Sequence, residues 1–167
     1  MRSKIQITPV FWISGALALL TVPLNWLGSI LAAAAFHEIC HLVMIRLCRI
    51  RVRQMKLDVR GAVIEMDPAE RGKELLCALA GPAGGLLLLL LLPRFPRLAL
   101  CGLVQSLFNL LPIYPMDGGR ALQCTTEMLF PVEIADRICK AVRIAVCVTV
   151  IVLSAYMLFV LQRGWSR

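Results

Sequence analysis

The residues with the clearest chemical potential are His37, Glu38 and His41, which lie within a strongly apolar stretch. On a helix, residues four apart lie one turn, about 6 Å, apart on the same face, so the two imidazoles could bind one metal ion. Glu38 would then lie close enough to act as a general base on a water molecule at that metal. These are the only two histidines in the chain. The pattern predicts zinc ligands at His37 and His41 and a catalytic carboxylate at Glu38.

Glu38 is also the only formally charged side chain between Lys4 and Arg46. A carboxylate inside an apolar helix costs roughly 2.5–3.5 kcal/mol on insertion scales, so its presence requires a compensating role. A structural histidine bonded to a neighbour is the ordinary explanation for either imidazole alone. The pair beside a buried carboxylate favours a metal site.

A hydrolytic zinc site needs a third protein ligand and one open position. Asp117 is the best candidate, because it follows Pro112 and Pro115 and precedes Gly118 and Gly119 at the end of an apolar run. Proline and glycine would let the chain unwind and turn the carboxylate inward. The alternative is a turn aspartate that faces water, which is common at helix ends.

Composition indicates that membrane spans carry these residues. The 167-residue chain is 59% hydrophobic, its mean hydropathy is +0.79, and soluble domains are about half apolar. Apolar runs of about 18 or more residues indicate transmembrane helices. The expected fold class is an all-α membrane protein, a polytopic bundle of four to five transmembrane helices. The predicted spans are Thr8–Asn25, Trp26–Ile45, Leu75–Leu92, Leu98–Met116 and Ile144–Leu161.

The net charge of +8 comes from basic residues at the ends of these spans. This distribution follows the positive-inside rule and argues against nucleic-acid binding. The residues after the second span place the next connection, and with it the N-terminus, in the cytoplasm. They are Arg46, Arg49, Arg51, Arg53, Lys56 and Arg60.

The basic residues that mark the ends of the spans also predict how deep His41 and Asp117 lie in the membrane. His41 lies five residues before Arg46, about 7 Å by helical rise. Asp117 lies three residues before Arg120. Both therefore approach the cytoplasmic side of the bilayer, which favours Asp117 as the third ligand over a water-facing turn.

Three features lie outside this pattern. Residues 52–66 partly alternate apolar and polar side chains around Gly61, which fits either a short β-hairpin or an irregular loop. Arg120–Lys140 is predicted as one or two short surface helices broken at Pro131. Seven cysteines without CxxC spacing indicate helix-packing thiols, not a disulfide framework.

The two motifs together resemble the site-2 protease family of intramembrane zinc metalloproteases. That family pairs an HExxH on one membrane helix with an aspartate in an NxxPxxxxDG-type motif on a later one, and Asn109–Gly118 are in register with it. The resemblance implies one Zn²⁺ ion held by His37, His41 and Asp117, with Glu38 as the general base.

The resemblance covers about residues 26–120 and implies a role for Asn109. This residue would orient the substrate backbone or stabilise developing charge. The segment Ala80–Gly85 looks like the family's GPxxN element, but Gly85 stands where that element has asparagine. Glycine at this position still allows a close backbone approach, but it lacks the side-chain amide donor that asparagine would supply. By itself the segment predicts a helix break or a close-packing site.

The resemblance further implies a zinc metalloendopeptidase that hydrolyses peptide bonds in or near transmembrane segments, including release of a transcription or sigma factor. The expected partners are a membrane protein or membrane-associated peptide substrate and the lipid bilayer. Leu57–Met66 could capture an unwound substrate by strand pairing. Without a PDZ insertion or a cystathionine-synthase-like tail, the compact chain most resembles the bacterial branch that processes a sporulation sigma factor.

The expected organisation is one integral membrane protease domain over residues 1–167, in a bacterial cell membrane with the N-terminus and active site toward the cytoplasm. Its core is expected at 26–120, followed by surface helices and the last span at 121–167.

Three other functions would use part of the same pattern. A membrane-anchored zinc protease of another class would place HExxH in a soluble domain and use Glu127 or Glu133 as its third ligand. A catalytically inactive relative could bind membrane helices or regulate another protease, but it would not need Glu38. A zinc transporter would line an ion path with histidine and acidic residues at more than one site, but the sequence shows a single such cluster. The apolar residues on both sides of His37 favour the intramembrane protease.

Overall fold

The computed structural model describes residues 4–7, 17, 19–58 and 61–165, and these are predominantly helical. A short 3₁₀ helix, Leu88–Leu91, directly continues the helix Arg71–Leu87. The elements in chain order are β1 (Lys4–Ile7), α1 (Leu24–Leu47), β2 (Val52–Asp58), β3 (Gly61–Met66), α2 (Arg71–Leu87), α3 (Pro96–Asn109), α4 (Asp117–Leu129) and α5 (Val132–Trp165).

Three helical segments of the described chain are long and apolar enough to cross a membrane. They are Leu24–Leu47, Arg71–Leu91 and Val132–Gln162, and they correspond to the predicted second, third and last spans, the third ending one residue earlier than predicted. This confirms the helical membrane class. The predicted first span, Thr8–Asn25, lies largely outside the described residues.

The predicted fourth span, Leu98–Met116, differs from the observed structure. Helix α3 begins at Pro96 and ends at Asn109, and residues 110–116 are not helical. Pro112 and Pro115 explain the early end, because proline lacks the N–H of a helix interior and disfavours helical geometry at the residue before it.

The last helix, α5, is longer than predicted. Pro131 interrupts the chain after α4, as expected, but the helix then continues from Val132 to Trp165. No proline or glycine precedes Gly164 in this segment, so nothing separates the predicted surface helix from the last span.

Residues 52–66 form the predicted hairpin, not the alternative irregular loop. Strands β2 and β3 pair antiparallel, and β1 pairs parallel to β2, so the strand order is β1-β2-β3. An ion pair between Arg53 and Asp67 joins the two ends of the hairpin. Strand β1 is only four residues long, too short for its alternation to stand out in the sequence.

Helix α2 packs closely against α1 and α3 at small residues. A β-carbon at Gly84 would lie 2.2 Å from Sγ of Cys40, and one at Gly85 would lie 2.1 Å from Oγ of Ser106. Small residues at such interfaces let helix backbones approach, which is how membrane helices gain packing contacts. Because α2 runs unbroken through this segment, it is a close-packing site and not a helix break.

Candidate metal centre

His37 and His41 lie on one face of α1 and are buried, with 3% and 9% of their surfaces exposed. Their rings meet edge to face, with centroids 4.7 Å apart. The two Nε2 atoms are 3.1 Å apart. The i, i+4 spacing therefore brings two potential donor atoms to one point, as predicted.

Asp117, the first residue of α4, brings a carboxylate to the same point. Its Oδ2 atom lies 3.1 Å from Nε2 of His37 and 3.2 Å from Nε2 of His41. These three residues form the group of potential metal ligands in the described part of the chain. Asp117 is thus not a water-facing turn residue: its side chain is 15% exposed.

The triangle of donor atoms fits a zinc ion. Zinc bonds of about 2.0–2.1 Å in a tetrahedral shell place neighbouring ligand atoms about 3.3 Å apart. The three observed edges are 3.1, 3.1 and 3.2 Å. Two imidazoles and one carboxylate are also a donor set of catalytic zinc sites, which keep the fourth position open.

A hydrogen bond orients His41 for metal binding. Its Nδ1 atom lies 2.7 Å from the backbone oxygen of Cys77 in α2. A carbonyl oxygen can only accept, so Nδ1 must carry the proton and donate it. In the neutral imidazole this leaves the lone pair on Nε2, the atom that faces Asp117.

A glycine in α2 leaves room for this arrangement. A β-carbon at Gly81 would lie 2.2 Å from Nε2 of His41 and 2.6 Å from Nε2 of His37. The donor atoms therefore point into space that any other side chain would fill. From the sequence, Gly81 belongs to a predicted helix break or close-packing site, and local spacing does not reveal which helix faces the histidines.

The turn after α3 places Asp117. A β-carbon at Gly118 would lie 2.1 Å from the backbone oxygen of Leu110, and one at Gly119 would lie 2.5 Å from the backbone carbon of Ile113. The start of α4 therefore lies directly against the turn, which only glycine permits. The turn includes a cis peptide bond before Pro115.

Asp117 is ionised at neutral pH. Burial acts to raise its pKa, but the contacts with His37 and His41 outweigh burial and lower the pKa to about 2. The site thus carries the negative charge that favours a cation.

The other predicted site residues lie close along the chain to the triad. Glu38 follows His37 in α1, is half-buried, and interacts electrostatically with His41. Asn109 is the last residue of α3 and is half-buried. Gly85 faces Ser106, a fully buried residue that no sequence motif marks.

A second polar cluster joins the start of α2 to α4. Nε of Arg71 lies 2.6 Å from Oε2 of Glu127, and its Nη1 lies 2.7 Å from Oε2 of Glu74. The amide of Gln123 donates to Oε1 of Glu127 at 2.8 Å. The cluster ties the far half of α4 to the helix that carries Gly81.

Comparisons with known proteins agree with this architecture, although no family model matches the chain. Over 174 residues the chain is 26% identical to Stage IV sporulation protein FB of Bacillus subtilis (strain 168), covering 95% of the chain and 59% of the relative. Over 105 residues it is 30% identical to a zinc metalloprotease of Methanocaldococcus jannaschii, covering 54% of the chain and 31% of the relative. The structure of a site-2 protease from M. jannaschii is similar with a TM-score of 0.66 and 20% identity, covering 94% of this chain and 82% of that one. The chain thus has the fold of a site-2 protease.

The chain is an integral membrane protein, with three helical segments in its described part that are long and apolar enough to cross a membrane. It spans less than two thirds of the length of either sequence relative. The two glutamates that a different zinc protease class would use are placed elsewhere in the site-2 protease fold. Glu127 is paired with Arg71, and Glu133 is exposed in the first turn of α5.

Proposed function

We propose that this chain is an intramembrane zinc metalloprotease that hydrolyses peptide bonds in or near transmembrane segments of membrane-tethered proteins. The observation that carries the proposal is the triangle of donor atoms from His37, His41 and Asp117, with Glu38 beside it on the same helix. A membrane helix retains such a costly set of polar groups where they do chemistry.

His37, His41 and Asp117 would hold one zinc ion. When bound, zinc supplies Lewis acidity, which polarises a carbonyl and makes water a nucleophile near neutral pH. The bond between His41 Nδ1 and the carbonyl of Cys77 keeps the imidazole lone pair on Nε2. The nearby Gly81 keeps the space at the donor atoms free.

Glu38 would act as the general base. Its carboxylate takes one proton as water adds to the scissile carbonyl, and it passes that proton to the leaving nitrogen as the C–N bond breaks. The second proton of the water stays on the new carboxyl group and then passes to the amine, so the products at neutral pH are a carboxylate and an ammonium group. Asn109 would orient the substrate backbone or stabilise the charge that develops on the carbonyl oxygen.

The substrate must be unwound before cleavage, because a membrane helix engages its carbonyls in internal hydrogen bonds. Strand β3 lies at one side of the three-stranded sheet, so its outer edge is free of other described strands. We propose that this edge pairs with the unwound segment and presents it to the site.

The substrate class that we infer is a membrane-tethered protein whose cleavage frees a soluble part, such as a transcription or sigma factor. The basic residues after α1 support a cytoplasmic location for the active site. We further propose that residues 1–167 form one protease domain in a bacterial cell membrane.

A cleavage assay with a membrane-tethered reporter, combined with zinc analysis, tests the proposal. The purified full chain and its Glu38→Gln variant are reconstituted in vesicles with the reporter, and both proteins are assayed for metal. We expect Glu38→Gln to abolish cleavage while zinc stays near one ion per chain. Glu133→Gln is the matched control, because this exposed glutamate lies outside the site, and it should cleave normally.

Two results would oppose the proposal. Cleavage that persists in Glu38→Gln would exclude Glu38 as the base. A wild-type protein that binds zinc and cleaves neither the reporter nor any membrane protein in cells would support the binding or regulatory relative. Membrane proteomes of cells with wild type or Glu38→Gln identify the natural substrates as accumulating precursors.

A further inference from the structure

A cavity with charged residues along one side lies between α4, α5 and the turn before α4. Its volume is about 260 Å³. Gly119, Leu122 and Gln123 line it from α4, and Asp136, Cys139, Lys140 and Arg143 line it from α5. On each helix these residues follow spacings of three and four, so two helix faces confront each other across the cavity.

The cavity lies at the edge of the apolar part of α5. Arg143 directly precedes Ile144–Leu161, a run without a charged residue. Tyr114, which also lines the cavity, is 59% exposed, and exposed tyrosines favour the boundary between membrane and water. The cavity is thus at the level of lipid headgroups.

The charges in the cavity are ordered by depth. Lys140 lies about 4.5 Å and Asp136 about 10 Å farther from the apolar run than Arg143, by helical rise. Within the described chain none of these three side chains forms an ion pair. The cavity therefore presents two cations near the membrane and one carboxylate farther out.

We propose that this cavity binds the headgroup of a phospholipid that carries a phosphate and a terminal ammonium group, such as phosphatidylethanolamine. In such a lipid the phosphate lies next to the acyl chains and the ammonium lies farther out. Lys140 and Arg143 would donate hydrogen bonds to the phosphate, and Asp136 would accept one from the ammonium. Basic pockets between membrane helices are known to hold phospholipid headgroups.

Native mass spectrometry of the full chain in mild detergent tests the assignment. The lipids are phosphatidylethanolamine, phosphatidylglycerol and phosphatidylcholine with identical acyl chains. We expect phosphatidylethanolamine to bind more tightly than phosphatidylcholine, whose quaternary nitrogen cannot donate to Asp136. A Lys140→Gln/Arg143→Gln variant should lose about fivefold or more in affinity for both phosphatidylethanolamine and phosphatidylglycerol.

Two further variants sharpen the test. Asp136→Asn should weaken the preference for phosphatidylethanolamine over phosphatidylcholine while both lipids still bind. Arg137→Gln is the matched control, since it removes a positive charge from the same helix at a residue that does not line the cavity. It should bind lipid like the wild type. Circular dichroism and thermal unfolding confirm that each variant is folded.

Three outcomes would overturn the proposal. Equal binding of all three lipids would show no headgroup recognition. If Arg137→Gln lost as much lipid affinity as Lys140→Gln/Arg143→Gln, the lipid would be held by a general attraction to basic residues. Displacement of the lipid by inorganic phosphate as effectively as by soluble phosphoethanolamine would show a simple anion site without recognition of the ammonium group.

Discussion

Gly81 and His41 face each other so closely that a β-carbon at position 81 would lie 2.2 Å from Nε2 of the imidazole. The two residues come from different helices, α2 and α1, and Gly81 approaches His37 as well. The spacing within α1 brings the imidazoles together, but the glycine of α2 leaves the donor atoms their space.

Gly81→Ala should therefore weaken zinc binding. The added methyl group would displace the Nε2 atoms, and disturbance of residues around a metal site commonly costs about 10–100-fold in affinity. Zinc affinity measured by competition with a chelator checks this. Gly72→Ala is the matched control in the same helix, because nothing lies within 4 Å of a β-carbon there. Equal affinities for the two variants would exclude a role for Gly81 in shaping the site.

Asp117→Ala should lower zinc content far below that of the wild type. The substitution removes one of the three donor atoms and leaves a site with two imidazoles. Metal analysis of the purified variant checks this, with Glu133→Gln as a control that keeps its zinc. If Asp117→Ala retained zinc and Glu133→Gln lost it, the third ligand would be a glutamate, as in another protease class.

Arg71→Gln should destabilise the packing of α4 on α2. It leaves the carboxylate of Glu127, which is 8% exposed, without its cation, and such a loss costs about 1–3 kcal/mol in the free energy of unfolding. Lys73→Gln is the control: its pair with Glu70 is 3.6 Å long and largely exposed, so the change should cost well under about 1 kcal/mol.

The double variant Arg71→Met/Glu127→Met should recover part of this loss, because it removes both charges. Denaturant unfolding in detergent measures all of these variants. If the double variant lost more free energy of unfolding than the two single variants together, the pairwise contact would be contradicted.

Gly85→Ala should be rescued in part by a change in the facing helix. Its β-carbon would meet Oγ of Ser106 at 2.1 Å, and overpacking of this kind costs about 1–3 kcal/mol. Ser106→Ala removes that oxygen and leaves the Cβ atom of residue 106 at 3.5 Å, an ordinary contact, but the backbone oxygen of Gly102 stays at 2.9 Å, so the rescue is partial. We expect a favourable coupling of about 0.5 kcal/mol or more in the double variant.

Ser106→Ala alone supplies the control for this pair. The hydroxyl of Ser106 is buried without a hydrogen-bond partner among the described residues, so its removal should not destabilise the protein. Additive effects of the two substitutions would show that Gly85 and Ser106 do not compete for the same space.

Proline substitutions in β3 test the proposed capture of substrate. Neighbouring residues of an edge strand direct their N–H groups to opposite sides, so one of Val63 and Ile64 bonds β2 and the other faces the free edge. We expect proline at the free-edge position to reduce reporter cleavage while the hairpin and the zinc content persist. Full cleavage in both Val63→Pro and Ile64→Pro would exclude strand pairing by β3.

The sequence by itself determined the features that depend on residues close along the chain. The HExxH spacing brought His37 and His41 together and composition determined the membrane class, whereas alternation left the hairpin as one of two alternatives. The positions of Arg46 and Arg120 also predict Asp117 at the level of His41, because helical rise and membrane thickness are regular.

The tertiary structure alone decided which surfaces of different helices meet. It placed Gly81 against the imidazoles, paired Arg71 with Glu127, and filled the space beside Gly85 with Ser106. It also showed that α3 ends at Asn109 and that α5 continues unbroken from Val132. Such contacts join residues distant in sequence and depend on how rigid helices pack, so local spacing and hydropathy carry no signal for them.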